Sequence, residues 1–203
     1  MLYLGAGWTD EDGHVGSMTG AAGETRTAED GRRWTLRPAR PTDARGLARL
    51  FADVRGEGRW LLTPSSAASE PSEAFFIGEM IRGGGGLALV AEADGEVVGN
   101  VLVSLERSAV SSHVGTLSIV IDRQWRDVGI GSDMVRAAQE WCRERGLVKL
   151  ALSVFPDNDR AVAVYEHAGF EREGLRRRQY LVDGEFRDEL LMAWLPDAGE
   201  ASP

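Results

Sequence analysis

Residues 117–130 read LSIVIDRQWRDVGI, an apolar run that passes through a short polar loop into the start of a helix. Gly129 and Gly131 let the backbone turn without side-chain obstruction, so consecutive N–H groups can converge on one point. The first turn of the helix adds its unpaired amides and the positive end of its dipole, and Arg126 adds a charge beside them, a combination suited to a phosphate or pyrophosphate. An ordinary strand-to-helix turn that needs glycine only for its geometry is the competing reading. Two familiar phosphate motifs fail here. A dinucleotide fingerprint requires a third glycine where the chain has Met134, and the Gly-Lys-Ser/Thr run of a nucleoside-triphosphate loop is absent. The glycine run 83–86 precedes a strand and not a helix, so it lacks the dipole and reads as a hinge.

Working outward, the residues after Asp122 take a helical period in which Ile130, Met134, Ala138, Trp141 and Cys142 share one face, and Gly146 stops them. Upstream, Arg33–Arg37 reads as a strand. Thr42 then stands as the polar cap of a helix carrying Leu47, Leu50, Phe51 and Val54. A loop through Gly56, Gly58, Trp60 and Pro64 leads to a second helix over Ser72–Arg82. Strands follow at Gly86–Ala93, Glu96–Glu106 and Val114–Asp122, the first two joined by a two-residue turn at Asp94-Gly95. Downstream come a strand at Leu147–Phe155, a helix from Asn158 to Ala168, and closing strands at Glu171–Val182 and Glu185–Leu195 turned by Asp183-Gly184. The order β-α-α-β-β-β-α-β-α-β-β predicts a mixed α/β fold, a largely antiparallel central sheet flanked by helices. Residues 1–31 have no sustained apolar period and read as a disordered extension, with Met18 as a second potential start. The domain is then 32–195, with a tail at 196–203.

With 43% hydrophobic and 27% charged residues among 203, the chain has the composition of one globular domain. Its 23 basic against 32 acidic residues give a net charge of -9, which opposes nucleic-acid binding. Cys142 is a single cysteine, and His14, His113 and His167 have no ligand spacing, so neither a disulfide scaffold nor a structural metal is expected. No run nears the roughly 20 apolar residues of a membrane span. The N-terminal residues have no signal-peptide pattern, so the default location is cytoplasmic.

Arg126-Asp127-Val128-Gly129-Ile130-Gly131 matches the Arg/Gln-x-x-Gly-x-Gly/Ala acetyl-CoA motif, and the chain resembles the GCN5-related N-acetyltransferases (GNAT). The segment NDRAVAVYEHAGF strengthens the resemblance, with Asn158 opening a short helix and Tyr165 seven residues on. The likeness covers roughly 33–195. It is closest to the bacterial amino-acid and phosphinothricin-type branch, through the segment His113–Gly131, the phrase VFPDNDRAVAVYEHAGFEREG and the hairpin QYLVDGEFRDELLMAWL. Where such sequences often carry an acid on the fourth strand, this chain has Thr116.

The resemblance implies a GNAT acyl-CoA N-acyltransferase fold with acetyl-CoA as cosubstrate and no metal. Its pantetheine arm would pair with the backbone of Ile119, Val120 and Ile121, and its pyrophosphate would rest on the amides from Arg126 to Gly131. An N–H near Val120 would bond the thioester oxygen. Asn158 would bond the pantetheine amides, or serve only as a helix cap. Tyr165 would protonate the leaving thiolate, or only pack in the core. The amine acceptor attacks unprotonated in a ternary complex, and Glu57, Glu106 and His113 are the candidate proton acceptors. Trp60, followed by Leu61 and Leu62, would wall the acceptor pocket. Of the arginines 176–178, Arg178 or Arg176 would meet a substrate carboxylate. The acceptor implied is a small-molecule amine, the partners include no nucleic acid and no membrane, and a homodimer is common in such proteins. A protein N-terminal or lysine acetyltransferase and a non-catalytic acyl-CoA-binding module are the alternatives.

Overall fold

A strand whose residues are buried on both faces needs a layer above it and a layer below, and the central strands have that pattern. The computed structural model describes residues 23, 25–61, 86–105 and 108–196. Within them β3 (Leu87–Ala93), β4 (Glu96–Leu105) and β5 (Val114–Ile121) form the middle of the sheet. Leu89, Ala91, Val101, Val103 and Leu117 pack on one side with Ile130, Met134, Val135 and Ala138 of the long helix α2 (Ile130–Glu144). Val90, Val97 and Val120 pack on the other with Leu47, Leu50 and Val54 of α1 (Ala44–Gly56). The alternation of strand side chains thus feeds two cores, one under each helix.

The remaining strands are β1 (Thr25–Thr27), β2 (Arg33–Pro38), β6 (Lys149–Val154), β7 (Glu171–Val182) and β8 (Glu185–Trp194). The short helix α3 (Asp159–His167) joins β6 to β7. The sheet runs β1-β2-β3-β4-β5-β6-β8-β7. Every pair of neighbours is antiparallel except β5 and β6, which are parallel because α2 carries the chain back between them. That pair holds only for Val114↔Lys149, Gly115↔Leu150 and Thr116↔Ala151, after which the two strands part. Gly115 at this end leaves room for its neighbours' side chains, since an added Cβ would lie 2.8 Å from Val103 Cγ1 of β4 and 3.4 Å from Leu150 Cδ1 of β6. No helix among the described residues is long and apolar enough to cross a membrane.

Three expectations change. The extension over residues 1–31 is not wholly unstructured, because β1 pairs with β2 in the register Thr25↔Thr35 to Thr27↔Arg33 and the intervening turn closes through the Ala28 N–H on the Arg32 carbonyl at 2.8 Å. An edge strand is held by backbone hydrogen bonds and needs no apolar period, so composition concealed it. Thr42 does not cap α1. It lies inside a single 3-10 turn (Pro41–Asp43), and the group that fixes this entry is the Asp43 carboxylate. That carboxylate accepts from Arg37 Nη1 and Nη2 at 2.8 and 2.9 Å and from the Arg40 N–H at 2.7 Å. The helix expected over 72–82 and most of the glycine run lie outside the described residues.

Burial works to raise the Asp43 carboxyl, but the hydrogen bonds and charge of Arg37 and the Arg40 amide outweigh it and hold the group below the ordinary carboxylate range. Asp43 is 8% exposed, so its ion pair is worth more than a surface pair. Asp43→Asn is expected to lower stability at pH 7 by about 2 kcal/mol in urea denaturation. A depressed folded-state value places the stabilisation above the unfolded value of about 3.9 and removes it as pH falls through the folded value. The gap between wild type and variant therefore closes in acid; equal stability at pH 7 would contradict this role.

Candidate active site

The loop between β5 and α2 is shaped by a few local bonds. Asp122 accepts from the Gln124 N–H at 2.8 Å and starts a 3-10 turn over Arg123–Trp125. Arg126 is extended, Asp127 has φ 66°, and Gly129 has φ 98° before the first residue of α2. The first intrahelical bond runs from the Asp133 N–H to the Gly129 carbonyl, so the amides from Ile130 to Ser132 have no acceptor within the helix. Among the described residues no acceptor meets the amides of Asp127, Val128 or Gly129 either. The result is a row of free donors at the positive end of a 15-residue helix.

The two glycines differ. Gly129 is required by the chain itself, since its φ is positive and an added Cβ would sit 3.6 Å from the Trp34 ring. Gly131 has an ordinary helical backbone, and a Cβ there would be in normal contact with Ile121 Cδ1 at 3.4 Å. A plain turn accounts for the first glycine and not for the second, whereas a ligand lying over the helix start accounts for both. A cavity of about 470 Å³ opens beside this loop, lined by Val128, Gly129 and Asp127 and by Ala28, Glu29 and Asp30 of the β1–β2 turn. Arg32 fixes that turn, bonding the Gln124 carbonyl and lying 5.1 Å from the centroid of the Trp125 ring.

Arg126 does not offer its charge to the loop as expected. Its guanidinium donates to both oxygens of Glu57 at 2.8 and 2.5 Å and to the Ile121 carbonyl at 3.1 Å. The bidentate geometry ties the end of α1 to the loop and occupies Glu57, so the carboxylate named as a proton acceptor is already an ion-pair partner. His113 is exposed and precedes the paired end of β5, seven residues before Val120, roughly 23 Å along an extended strand. The structure does not bring it to the parting of the strands. Glu106 lies outside the described residues.

From Leu117 onward the edge of β5 that faces β6 is unpaired, and this edge carries Ile119, Val120 and Ile121. Their side chains are committed to the two cores while their backbone faces the gap. Across the gap, the chain leaving β6 reaches Asn158, whose Oδ1 caps α3 by accepting from the Ala161 N–H at 3.3 Å. Its Nδ2 has no partner among the described residues, so a cap and a ligand contact are compatible. Tyr165 stands half-buried with its ring 5.7 Å from Phe170, and burial pushes its phenol up to about 12. No hydrogen bond to a carbonyl holds that hydroxyl among the described residues.

On the α1 side of the sheet, Trp60 stands near Arg187 of β8. Arg187 lies 3.8 Å from the centroid of Phe155 and 6.0 Å from that of Trp60. It also donates to the Arg59 carbonyl at 2.6 Å and to both oxygens of Asp157 at 2.8 and 3.0 Å. Arg178 is displaced from the role expected of it: a bulge sets its φ at 52°, its N–H bonds Asp188, and its guanidinium lies over the exposed Phe186 ring. Arg176 is the member of the cluster that turns inward, to Glu189 at 2.9 Å. Sequence reading missed Phe155, Tyr180, Arg187 and Glu189; for Arg187 and Glu189 the period-two pattern of β8 was the available signal, since Leu190, Met192 and Trp194 face the α2 core and send the odd-numbered residues to this side, whereas Tyr180 reaches it through the bulge in β7.

Comparison with known proteins accords with this geometry. The family model described as Acetyltransferase (GNAT) family matches residues 57–170, more than half of the chain. The L-amino acid N-acetyltransferase AaaT of Escherichia coli is 37% identical over 106 residues, which are 52% of this chain and 65% of that protein. The chain thus spans just under two thirds of that relative. An aminoglycoside N(6')-acetyltransferase type 1 of Stenotrophomonas maltophilia is 32% identical over 142 residues, 68% of this chain and 86% of that one. The crystal structure of a GNAT-family acetyltransferase from Streptococcus pneumoniae superposes with a TM-score of 0.73 at 27% identity, covering 80% of this chain and 99% of that chain.

The contrast between the glycines is testable. Gly131→Leu is expected to melt within a few degrees of wild type yet to weaken acetyl-CoA binding at least tenfold in titration calorimetry. Gly129→Ala is expected to cost about 1 kcal/mol of stability because of its positive φ. Unchanged binding by folded Gly131→Leu would return the loop to a plain turn.

Proposed function

The chain belongs to the GNAT family of acetyltransferases, and from that premise we propose that it transfers the acetyl group of acetyl-CoA to the primary amine of a small amino-acid-like acceptor, by direct attack with both substrates bound. The observation that carries this reading is the parting of β5 and β6, with free loop amides at the end of one strand and Asn158 and Tyr165 beyond the end of the other. Acetyl-CoA supplies an activated acyl group as a thioester. The amides from Asp127 to Gly131 bind its diphosphate, and the backbone edge at Ile119–Ile121 takes the amide-bearing arm as an added strand. The Val120 region supplies an N–H to the thioester oxygen, where negative charge develops.

Tyr165 is protonated at every working pH, because its phenol stands near 12. An ordinary thiol titrates near 8.5. A phenol of higher pKa therefore stabilises the departing sulfur chiefly by donating a hydrogen bond. An acceptor amine with a pKa of about 10.4 must shed a proton first. With Glu57 paired to Arg126 and His113 at the far end of β5, that proton leaves to Glu106 or to solvent. Similarity to the L-amino acid N-acetyltransferase of Escherichia coli supports an amino-acid-like acceptor over an aminoglycoside.

A panel of L-amino acids, spermidine, an aminoglycoside and an alanine-ended peptide, followed by free-thiol release, tests the assignment. An amino acid is expected to lead the others by at least tenfold in kcat/KM, and preference for the peptide or a polycation would overturn it. Tyr165→Phe is expected to lower kcat about 100-fold with acetyl-CoA affinity kept. The wild-type kcat/KM for the amine is expected to rise with pH toward the amine pKa with no descending limb below about 12, since Tyr165 keeps its proton through that range; a fall near pH 8 would contradict this role.

A further inference from the structure

Among the described residues two carboxylates are buried, Asp43 and Glu189. Asp43 is used by Arg37 and the Arg40 amide to begin α1, far along the sheet from the cleft. Glu189 is 5% exposed and belongs to no core contact of that kind. It lies one residue from the Val154↔Leu190 pair, at the level where β6 has left β5, on the side of the sheet that carries Trp60 and Phe155. Three donors converge on it: the Tyr180 hydroxyl at 2.6 Å, Arg176 Nη1 at 2.9 Å and the Ser153 hydroxyl. Burial acts to raise its carboxyl, and the three donors outweigh burial and leave it below the ordinary range, so it is an anion at neutral pH. Arg176 is 54% exposed, and solvent weakens its neutralising effect on the inner end of the network.

Tyr180 spends its one proton on Glu189, which turns the remaining lone pairs of its oxygen away from the carboxylate. Its ring is set edge-on to Phe155, with centroids 5.8 Å apart at 65°, and Phe155 in turn carries Arg187. The phenol is thus held from both ends, by an anion and by an aromatic wall.

We propose that Tyr180 receives the acceptor's amine nitrogen through its phenol oxygen, and that Glu189 is the positioning residue that orients this phenol. The ligand class is a primary amine on a small amino-acid-like skeleton. The proposal rests on the acetyltransferase reading and deepens it.

The test uses the full chain, acetyl-CoA and the amine that leads the panel. Tyr180→Phe and Glu189→Gln are each expected to raise the acceptor KM at least tenfold, with the acetyl-CoA dissociation constant and kcat within threefold of wild type. The double variant is expected to be no worse than threefold beyond the stronger single one, because both act through one bond. A merely structural role would lower the melting temperature and weaken acetyl-CoA binding together. Should Glu189→Gln not fold, Tyr180→Phe at the half-buried ring still decides. An acceptor KM within twofold of wild type in folded Tyr180→Phe, or equal losses toward both substrates, overturns the proposal while leaving the acetyltransferase reading intact. Wild type that binds acetyl-CoA but acetylates no amine overturns both.

Discussion

The structure depends on one parallel strand pair that cannot stay together. β5 and β6 are the neighbours joined through a helical crossover, and their ladder ends after three residue pairs. Beyond Thr116 both strands continue while the hydrogen bonds between them stop. An unpaired strand edge in the middle of a sheet is ordinarily a liability. Here it faces a gap with a turn rich in free amides at one end, and in the function proposed above these backbone donors receive an extended, amide-bearing, anionic molecule.

Charge is handled locally around that gap. Arg126 and Glu57 neutralise one another and fasten the end of α1 to the loop, and Arg187 is shared between Asp157 and two aromatic rings. In the proposed function the loop between β5 and α2 therefore binds an anion mainly through backbone amides and the α2 dipole, which are fixed in direction before any ligand arrives. On the other side Glu189 is buried and paired with Arg176 and the Tyr180 hydroxyl.

The fold was legible where periodicity and turn chemistry agreed. β3 to β5, the Asp94-Gly95 and Asp183-Gly184 turns, α2 and α3 stand within a residue or two of the positions that side-chain spacing indicated. β1 was hidden, because a polar edge strand is specified by its neighbour's backbone and not by its own apolar pattern. Thr42 was chosen as a cap on residue type alone, and the contact between Asp43 and Arg37 decided otherwise. At the candidate site, the glycines stood out in the sequence itself, while Asn158 and Tyr165 entered through the family resemblance. The pairing of Glu57 with Arg126 across 69 residues, and the convergence of Ser153, Tyr180 and Glu189 from three strands, are tertiary facts with no local signature.

Amide hydrogen exchange with and without acetyl-CoA examines the central claim most directly. Protection is expected to rise in the segments 117–121 and 127–131, the free edge of β5 and the loop amides, while β4 stays as it was. Protection confined to other segments, or none at saturating acetyl-CoA, would contradict the assignment of the strand gap as the acyl-donor site.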